Sequence, residues 1–378
     1  MAERAPRALR VLSVFGTRPE AVKMAPVVLR LRQTPGIDAR VCITAQHREM
    51  LDQVLTLFDL RPDYDLDLMQ PDQSLAALTA AVFAGLDPVL EQVKPDWVLV
   101  QGDTTTVMAA ALLAYYHQVR LGHVEAGLRT GDKWQPFPEE INRRVAGVVA
   151  DLHFAPTEWA RANLLREGVP GGQVVVTGNP VIDALQHIVA QPYDEAQGPL
   201  AGLPADKQLI VVTAHRRESF GKPLEDVFAA LKRLAHAYAD RIVILYPVHR
   251  NPNVRQPAER ILGGLPNVRL VDPLDYGDMA HALQRAHLVL TDSGGLQEEA
   301  PALGTPVLVL REVTERPEAL QAGTARLVGT DPDRIVAETS RLLEEPQAHA
   351  AMARAANPYG DGHAAERIVA ALLAASAG

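Results

Sequence analysis

Twelve short apolar runs, most of them separated by alanine-rich or amphipathic segments, constrain this chain more than any other feature. In the first half they are LRVLSVF, ARVCITA, WVLVQG, VRLGHVEAG, LHFAP and VVVTGNP. In the second half they are LIVVTAH, RIVILYPVH, VRLVD, LVLTDSGG, PVLVL and RLVGT. Such runs, apolar without strict alternation, read as strands buried on both faces, which a parallel sheet requires. Segments such as TTVMAAALLAYYHQ and LEDVFAALKRLAHAYA read as the helices that cover it. Between the sixth and seventh runs lies AQPYDEAQGPLAGLPADKQ, residues 190–208, a Pro/Gly/Gln-rich break. The pattern predicts an α/β chain of two doubly wound, Rossmann-like domains, residues 1–190 and 191–362, facing an interdomain cleft.

Composition narrows the partners. The 378 residues are enough for two or three domains. Apolar residues make up 47% and charged residues 22%, the balance of a globular protein with large cores. A net charge of −9 with no lysine-rich tract argues against nucleic acid or an anionic membrane surface as the main partner. The N-terminal MAERAPRALR has no apolar core of a signal peptide, and no run approaches ~18 apolar residues. The one cysteine, Cys42, sits in an apolar run and reads as a buried core thiol, so a cytoplasmic location is expected.

Polar residues gather just past the strands, where open parallel sheets bind ligands. Seven of the twelve runs end this way, in GTRPE, QHREM, GDTTT, HVEAGLRT, HRRE, PVHRNP and DSGGLQEE. In GTRPE, Thr17 suits an N-cap, Pro19 the first helical turn and Glu20 the positive helix end. That structural account leaves Arg18 unexplained, and Lys23 falls one turn later, within reach of the same anion. In DSGGLQEE, Ser293, Gly294 and Gly295 open a helix where backbone N–H groups can approach a diphosphate, and Glu298 or Glu299 can hold a ribose diol; a capping box is the alternative. His215, Arg216 and Arg217 end one strand of this half, and His249 and Arg250 another, so its wall is cationic.

The first half carries acids instead: Asp103, Glu125, and Glu139 with Glu140. Asp103 as a helix cap, and Glu139 with Arg143 as an ordinary i,i+4 ion pair, are the plain alternatives. Carboxylates crowded together repel, which raises some of their pKa values and suits acid–base work. A cationic wall and an acidic wall fit a sugar nucleotide. No cysteine/histidine cluster or H-E-x-x-H suggests a metal, no G-x-S-x-G suggests a serine triad, and no G-x-G-x-x-G suggests a dinucleotide; no metal and no cofactor are expected.

Taken in order, FGTRPEAVKMAP, TAQHREMLDQVL, GDTTT, GHVEAGLRTGDKWQPFPEEINRR, TAHRRE, YPVHRNPNV, TDSGGLQEEAPALGTPVLVLREVTERPEAL and AGTARLVGT resemble the non-hydrolysing UDP-N-acetylglucosamine 2-epimerases, from about Leu9 to about Ile368. The resemblance implies a GT-B-like pair of Rossmann domains, a homodimer, and a C-terminal helix, residues 363–378, that returns to the first domain. It implies catalytic roles for Asp103, Glu125, Glu139 and His215. It places substrate contacts on Arg18, Lys23, Arg143, His249, Ser293, Gly294, Gly295, Glu299 and Arg316. Many bacterial members also bind a second UDP-GlcNAc as an activator, and Gln46 and His47 match the stretches involved. Ala214 stands where many members have glycine. The implied activity interconverts UDP-GlcNAc and UDP-ManNAc by elimination and re-addition of UDP, for cell-envelope polysaccharide. Rival readings are a hydrolysing 2-epimerase, a GT-B glycosyltransferase using UDP-GlcNAc, and a non-catalytic nucleotide-sugar sensor.

Overall fold

The computed structural model describes residues 7–45, 48–70 and 73–377. The chain forms two compact units: residues 1–184 with 359–378, and residues 185–358.

The first unit runs β1 (Leu9–Phe15), α1 (Arg18–Gln33), β2 (Ile37–Ile43), α2 (Arg48–Leu57), β3 (Tyr64–Asp65), α3 (Leu75–Val93), β4 (Trp97–Gln101), α4 (Thr105–Tyr116) and β5 (Arg120–Val124). It continues α5 (Glu139–Val149), β6 (Leu152–Ala155), α6 (Glu158–Arg166), β7 (Val174–Val176) and α7 (Pro180–Val189). All seven strands are parallel, in the order β3-β2-β1-β4-β5-β6-β7. Leu12, Val14, Val98, Val100 and Leu121 are buried with Val107, Ala110 and Leu113 of α4. Burial on both faces explains why the strand runs lack alternation.

The strand at 64–65 was outside the expected twelve. Two residues, Tyr64 and Asp65, paired at the sheet edge with Cys42 and Ile43, are too few to show any periodicity. Cys42 itself is buried, and desolvation pushes its thiol up to about 12, so it is an inert core residue. Helix α3, 19 residues long, is by length and average composition apolar enough to cross a membrane. Its buried Val82, Leu86, Leu90 and Val93 belong to the same core as the sheet or pack on α4, so one face of the helix lies on the core.

The division between units falls inside α7, after Ala184, and not at 190. The first turns of that helix are tied to the end of the chain: Asp183 accepts from the backbone N–H of Ala364 at 3.1 Å and Ala365 at 2.8 Å. Asn179 N–H donates to Tyr359 O at 2.7 Å. These bonds draw residues 359–362 into the first unit, where the sequence pattern assigned them to the second.

The second unit runs β8 (Gln208–Thr213), α8 (Lys222–Ala237), β9 (Ile242–Pro247), α9 (Pro252–Leu262), β10 (Val268–Val271), α10 (Tyr276–Arg285) and β11 (Leu288–Thr291). It ends α11 (Leu296–Ala302), β12 (Val307–Val309), α12 (Pro317–Ala322), β13 (Ala325–Leu327), α13 (Pro332–Glu344) and α14 (Pro346–Ala353). Its six parallel strands take the order β10-β9-β8-β11-β12-β13. Phe228 and Leu231 of α8 are buried in one core with Ile210, Ile244 and Leu290 of the sheet. A last helix, α15 (Ala364–Ser376), packs on α1 in the first unit; Trp97 Nε1 donates to Ser376 Oγ at 2.9 Å and Arg120 to Ala375 O at 2.8 Å.

Both sheets reverse their strand order once, between β1 and β4 and between β8 and β11. Helices leave opposite faces on either side of that point, so the strand ends there stay uncovered and form the natural ligand crevice of each unit.

Candidate active site

In the first unit the GTRPE turn follows β1 at the reversal. Glu20 and Thr17 make a capping box: Glu20 Oε2 accepts from the N–H groups of Gly16 at 3.0 Å and Thr17 at 2.7 Å, and Thr17 Oγ1 accepts from Glu20 N–H. Gly16 has no room for a side chain, since a Cβ there would lie 2.0 Å from Thr44 Oγ1. The structural account of Thr17, Pro19 and Glu20 therefore holds. Arg18 is exposed beside the helix start and pairs with no carboxylate among the described residues. Lys23 turns inward, with Nζ 2.7 Å from Glu125 Oε1 and 2.6 Å from Oε2.

Glu125 follows β5 and has a positive φ of 61°, a left-handed conformation that costs a non-glycine residue on the order of 1–3 kcal/mol. Its carboxylate also accepts from Asn179 Nδ2 at 2.9 Å and from Gln101 Nε2. Three donors on a carboxylate only 5% exposed fix it as an anion of set position.

Asp103 does not cap α4. That role belongs to Thr104, whose Oγ1 accepts from Val107 N–H. The Asp103 carboxylate pairs with Arg143, and Arg143 pairs with Glu140 at 3.4 Å and not with Glu139. The plain i,i+4 reading of Glu139 thus fails. Burial raises the Asp103 pKa; Arg143 opposes this, Glu125 adds to it, and the net direction is upward. Glu139 opens α5 with its Oε2 buried and without a hydrogen-bond partner among the described residues. Glu140 is fully buried and accepts from the N–H groups of Thr130 and Gly131, so it anchors the loop before α5.

In the second unit His215 lies just past β8. Its Nδ1 is 3.2 Å from Asp292 Oδ1, and Asp292 Oδ2 accepts from the N–H groups of His215 at 2.5 Å and Arg216 at 2.7 Å. Burial works to raise Asp292, but these His215 and Arg216 contacts outweigh it and hold the carboxyl below its usual range. A carboxylate at Nδ1 directs the proton to that nitrogen. The His249 ring stacks on His215 with centroids 5.5 Å apart and planes 8° from parallel. Burial first, then the charge of His215, lowers its pKa.

Helix α11 starts at Leu296 after Ser293, Gly294 and Gly295, and no side chain caps it, so the capping box expected as the alternative is absent. Ser293 N–H donates to Thr291 Oγ1 at 2.9 Å. The Arg316 guanidinium bonds Glu298 and lies 3.9 Å from where a Gly294 Cβ would stand, so glycine there keeps the backbone open beside a cation. Glu299 is 9% exposed, and its charge raises buried Tyr276 further.

Comparison with known proteins assigns the chain to one family. The family model described as UDP-N-acetylglucosamine 2-epimerase matches residues 29–373. The chain is 55% identical over 370 residues to the UDP-N-acetylglucosamine 2-epimerase of Escherichia coli (strain K12), covering 96% of this chain and 98% of that protein. The chain belongs to the UDP-N-acetylglucosamine 2-epimerase family. The crystal structure of UDP-GlcNAc 2-epimerase from Neisseria meningitidis, bound to UDP-GlcNAc, superposes with a TM-score of 0.87 at 47% identity, covering 97% of this chain and 100% of that one. The Methanocaldococcus jannaschii enzyme, in complex with UDP-GlcNAc and UDP, gives 0.77 at 30% identity, covering 97% and 100%.

Within this family member the structure brings together Lys23, Asp103, Glu125 and Arg143 in one unit. In the other it groups His215 with His249, and Ser293 and Gly294 with Arg316. Gln46 and His47 lie outside the described residues. Sequence reasoning passed over Gln101 and Asn179, the neutral donors on Glu125, and the part Asp292 plays in orienting His215. A signal existed: Gln101 and Asn179 are lone amides at the ends of apolar runs, WVLVQ and VVVTGN.

Proposed function

We propose that this protein interconverts UDP-GlcNAc and UDP-ManNAc by anti elimination of UDP to 2-acetamidoglucal and re-addition to the opposite face, without hydrolysis. The observation that carries this reading is that three carboxyl groups of one unit are held in unlike states. Glu125 is saturated by donors, Asp103 is raised, and Glu139 has a buried oxygen without a partner among the described residues.

The C2–H of a sugar nucleotide adjoins no carbonyl, so direct deprotonation is unfavourable. As the C1–O bond to UDP lengthens, C1 gains oxocarbenium character and the C2–H acidifies. Departure of UDP with loss of that proton leaves the glucal. Return of a proton to the other face of C2 and of UDP to C1 completes the inversion. Glu125, unable to take a proton without losing its donors, serves as the fixed negative charge near C1. Asp103 and Glu139 exchange protons at C2. His215, with its proton fixed on Nδ1 by Asp292, offers Nε2 to the leaving diphosphate together with Arg316 and the glycine turn at 294–295. The names of the relatives support the substrate, and the M. jannaschii complex holds UDP-GlcNAc, the reactant of the proposed elimination, and UDP, its leaving group.

The test is incubation with UDP-GlcNAc alone in deuterated water, following C2 by NMR. Inverted product with deuterium at C2 and an intact UDP linkage is expected. Free ManNAc would indicate the hydrolysing reaction, and no change without an acceptor would indicate a transferase. In the same assay His215→Ala is expected to slow exchange about 100-fold while UDP affinity changes less than about tenfold; near-normal exchange removes His215 from the leaving-group role.

The homodimer and the second, activating UDP-GlcNAc belong to the same proposal. Sedimentation at twice the chain mass and a sigmoidal dependence of rate on UDP-GlcNAc are the expected signatures. A monomer, or a hyperbolic curve, would remove the corresponding part.

A further inference from the structure

Three consecutive residues of the turn after β4 are each held by a buried side chain from a different element. His123 on β5 places Nε2 2.7 Å from the carbonyl oxygen of Gly102. Asn142 on α5 donates Nδ2–H to the carbonyl of Asp103 at 3.0 Å. Glu20 on α1 accepts at Oε1 from Thr104 Oγ1–H at 2.7 Å. The three are 1%, 3% and 2% exposed. Gly102 has a φ of +80°, a conformation glycine adopts freely but does not enforce. A turn built on such a residue takes its rigidity from what surrounds it.

The chemistry of the His123 ring is set by that contact. A carbonyl only accepts, so Nε2 carries the proton and donates it, and Nδ1 is a bare lone pair, buried and without a partner among the described residues. Burial lowers the ring to about 4, so it stays neutral at ordinary pH. A neutral, buried imidazole with one nitrogen committed to a backbone carbonyl is a strut and not a proton carrier.

We propose that His123 is a positioning residue for the Asp103 carboxyl, acting through the Gly102 carbonyl, with Asn142 and Glu20 holding the next two residues of the turn. The activity part of this proposal rests on the epimerase reading above. A carboxyl that exchanges a proton with one carbon must be placed within about 0.5 Å. A misplacement of about 1 Å can cost about 100-fold in rate.

His153 provides a matched comparison inside the same sheet. It is the registered neighbour of His123 on β6, is 1% exposed, is lowered to about 4, and also has an unpartnered Nδ1. Its hydrogen bond goes to the backbone at Ala150, at the C-terminal end of α5, and not to the Asp103 turn. Losing either imidazole removes similar buried volume; only one loss frees the turn.

The experiment compares His123→Leu, His123→Gln and His153→Leu by two readouts: steady-state kinetics with UDP-GlcNAc, and hydrogen exchange of the peptide spanning residues 102–104. His123→Leu is expected to lower kcat about 10- to 100-fold with KM within about threefold. Exchange in the turn is expected to quicken at least about tenfold. Glutamine carries an amide N–H at comparable reach, so His123→Gln is expected to recover most of both. His153→Leu is expected to leave kcat within about threefold and the turn protected. Equal losses of kcat in the two leucine variants, failure of glutamine to recover activity, or an unchanged turn in His123→Leu would each overturn the proposal. If His123→Leu does not fold, Asn142→Leu takes its place, with the same expectations for kcat and exchange. If the parent protein does not turn over UDP-GlcNAc, the epimerase reading falls, and exchange in the turn still decides whether His123 holds it.

Discussion

Asp103→Asn is expected to lower turnover of UDP-GlcNAc by about 100- to 10,000-fold while the protein keeps its affinity for UDP within about tenfold. Asparagine preserves the shape of the side chain and a contact for Arg143, but it cannot take or give a proton. The change should not cost stability. Burial and the charge of Glu125 leave Asp103 with a raised pKa despite its ion pair with Arg143, so its ionised form is disfavoured in the folded state. Arg143 keeps Glu140 at 3.4 Å as a second partner. A melting temperature equal to or above that of the parent, with turnover lost, is the pattern of a residue kept for chemistry at some expense of stability. Turnover within tenfold of the parent would remove Asp103 from proton transfer, and joint loss of UDP binding would assign it to binding.

The second large effect is on stability in mild acid. Burial lowers the pKa of His123, His153 and His287, each to about 4, and in each case desolvation is the largest cause. The unfolded chain takes up these protons near pH 6.5 and the folded chain only near 4. The stability these groups preserve is therefore complete above pH 6.5 and declines as pH falls through that window. The slope approaches about 1.4 kcal/mol per pH unit for each group well between its two pKa values, and solvent screening makes the total contribution of the half-buried His287 smaller. Raised carboxyl groups, Glu20 and Asp183 among them, pull the other way near the acid end of the same window. The histidine contribution is isolated by a difference: the stability of the parent relative to His153→Leu, from denaturant unfolding at pH 7, 6 and 5, is expected to shrink by about 0.7 kcal/mol from pH 7 to 6 and by about 1.2 kcal/mol from pH 6 to 5. A difference that does not vary with pH would show that His153 is not held neutral in the fold.

Much of the architecture is legible along the chain because parallel strands, buried on both faces, must be apolar throughout. All twelve runs became strands, and among the described residues only the two-residue strand at Tyr64–Asp65 was too short to be read. The expected boundary at 190 followed composition, whereas the contacts of Asp183 and Asn179 with residues 359–365 place the division earlier. Among the strand-end clusters the residue types were legible and the pairings were not. Lys23 was read as a cation for an anionic ligand, and the structure also pairs it with Glu125; Arg143, read beside Glu139, pairs with Glu140 one turn away and reaches Asp103, 40 positions away. Hydrogen bonds between residues about 40 to 100 positions apart leave no periodic trace in either segment.

The sequence alone determines the fold class, the two-domain plan and the family, because apolar periodicity and motif order are properties of a line of residues. Tertiary structure alone decides the state of each functional group. It makes Glu125 a saturated anion in a left-handed conformation, raises Asp103, leaves Glu139 an oxygen unpartnered among the described residues and sets Asp292 beside Nδ1 of His215. Desolvation and hydrogen-bond geometry set those states, and both depend on which distant strands and helices the chain places beside each group.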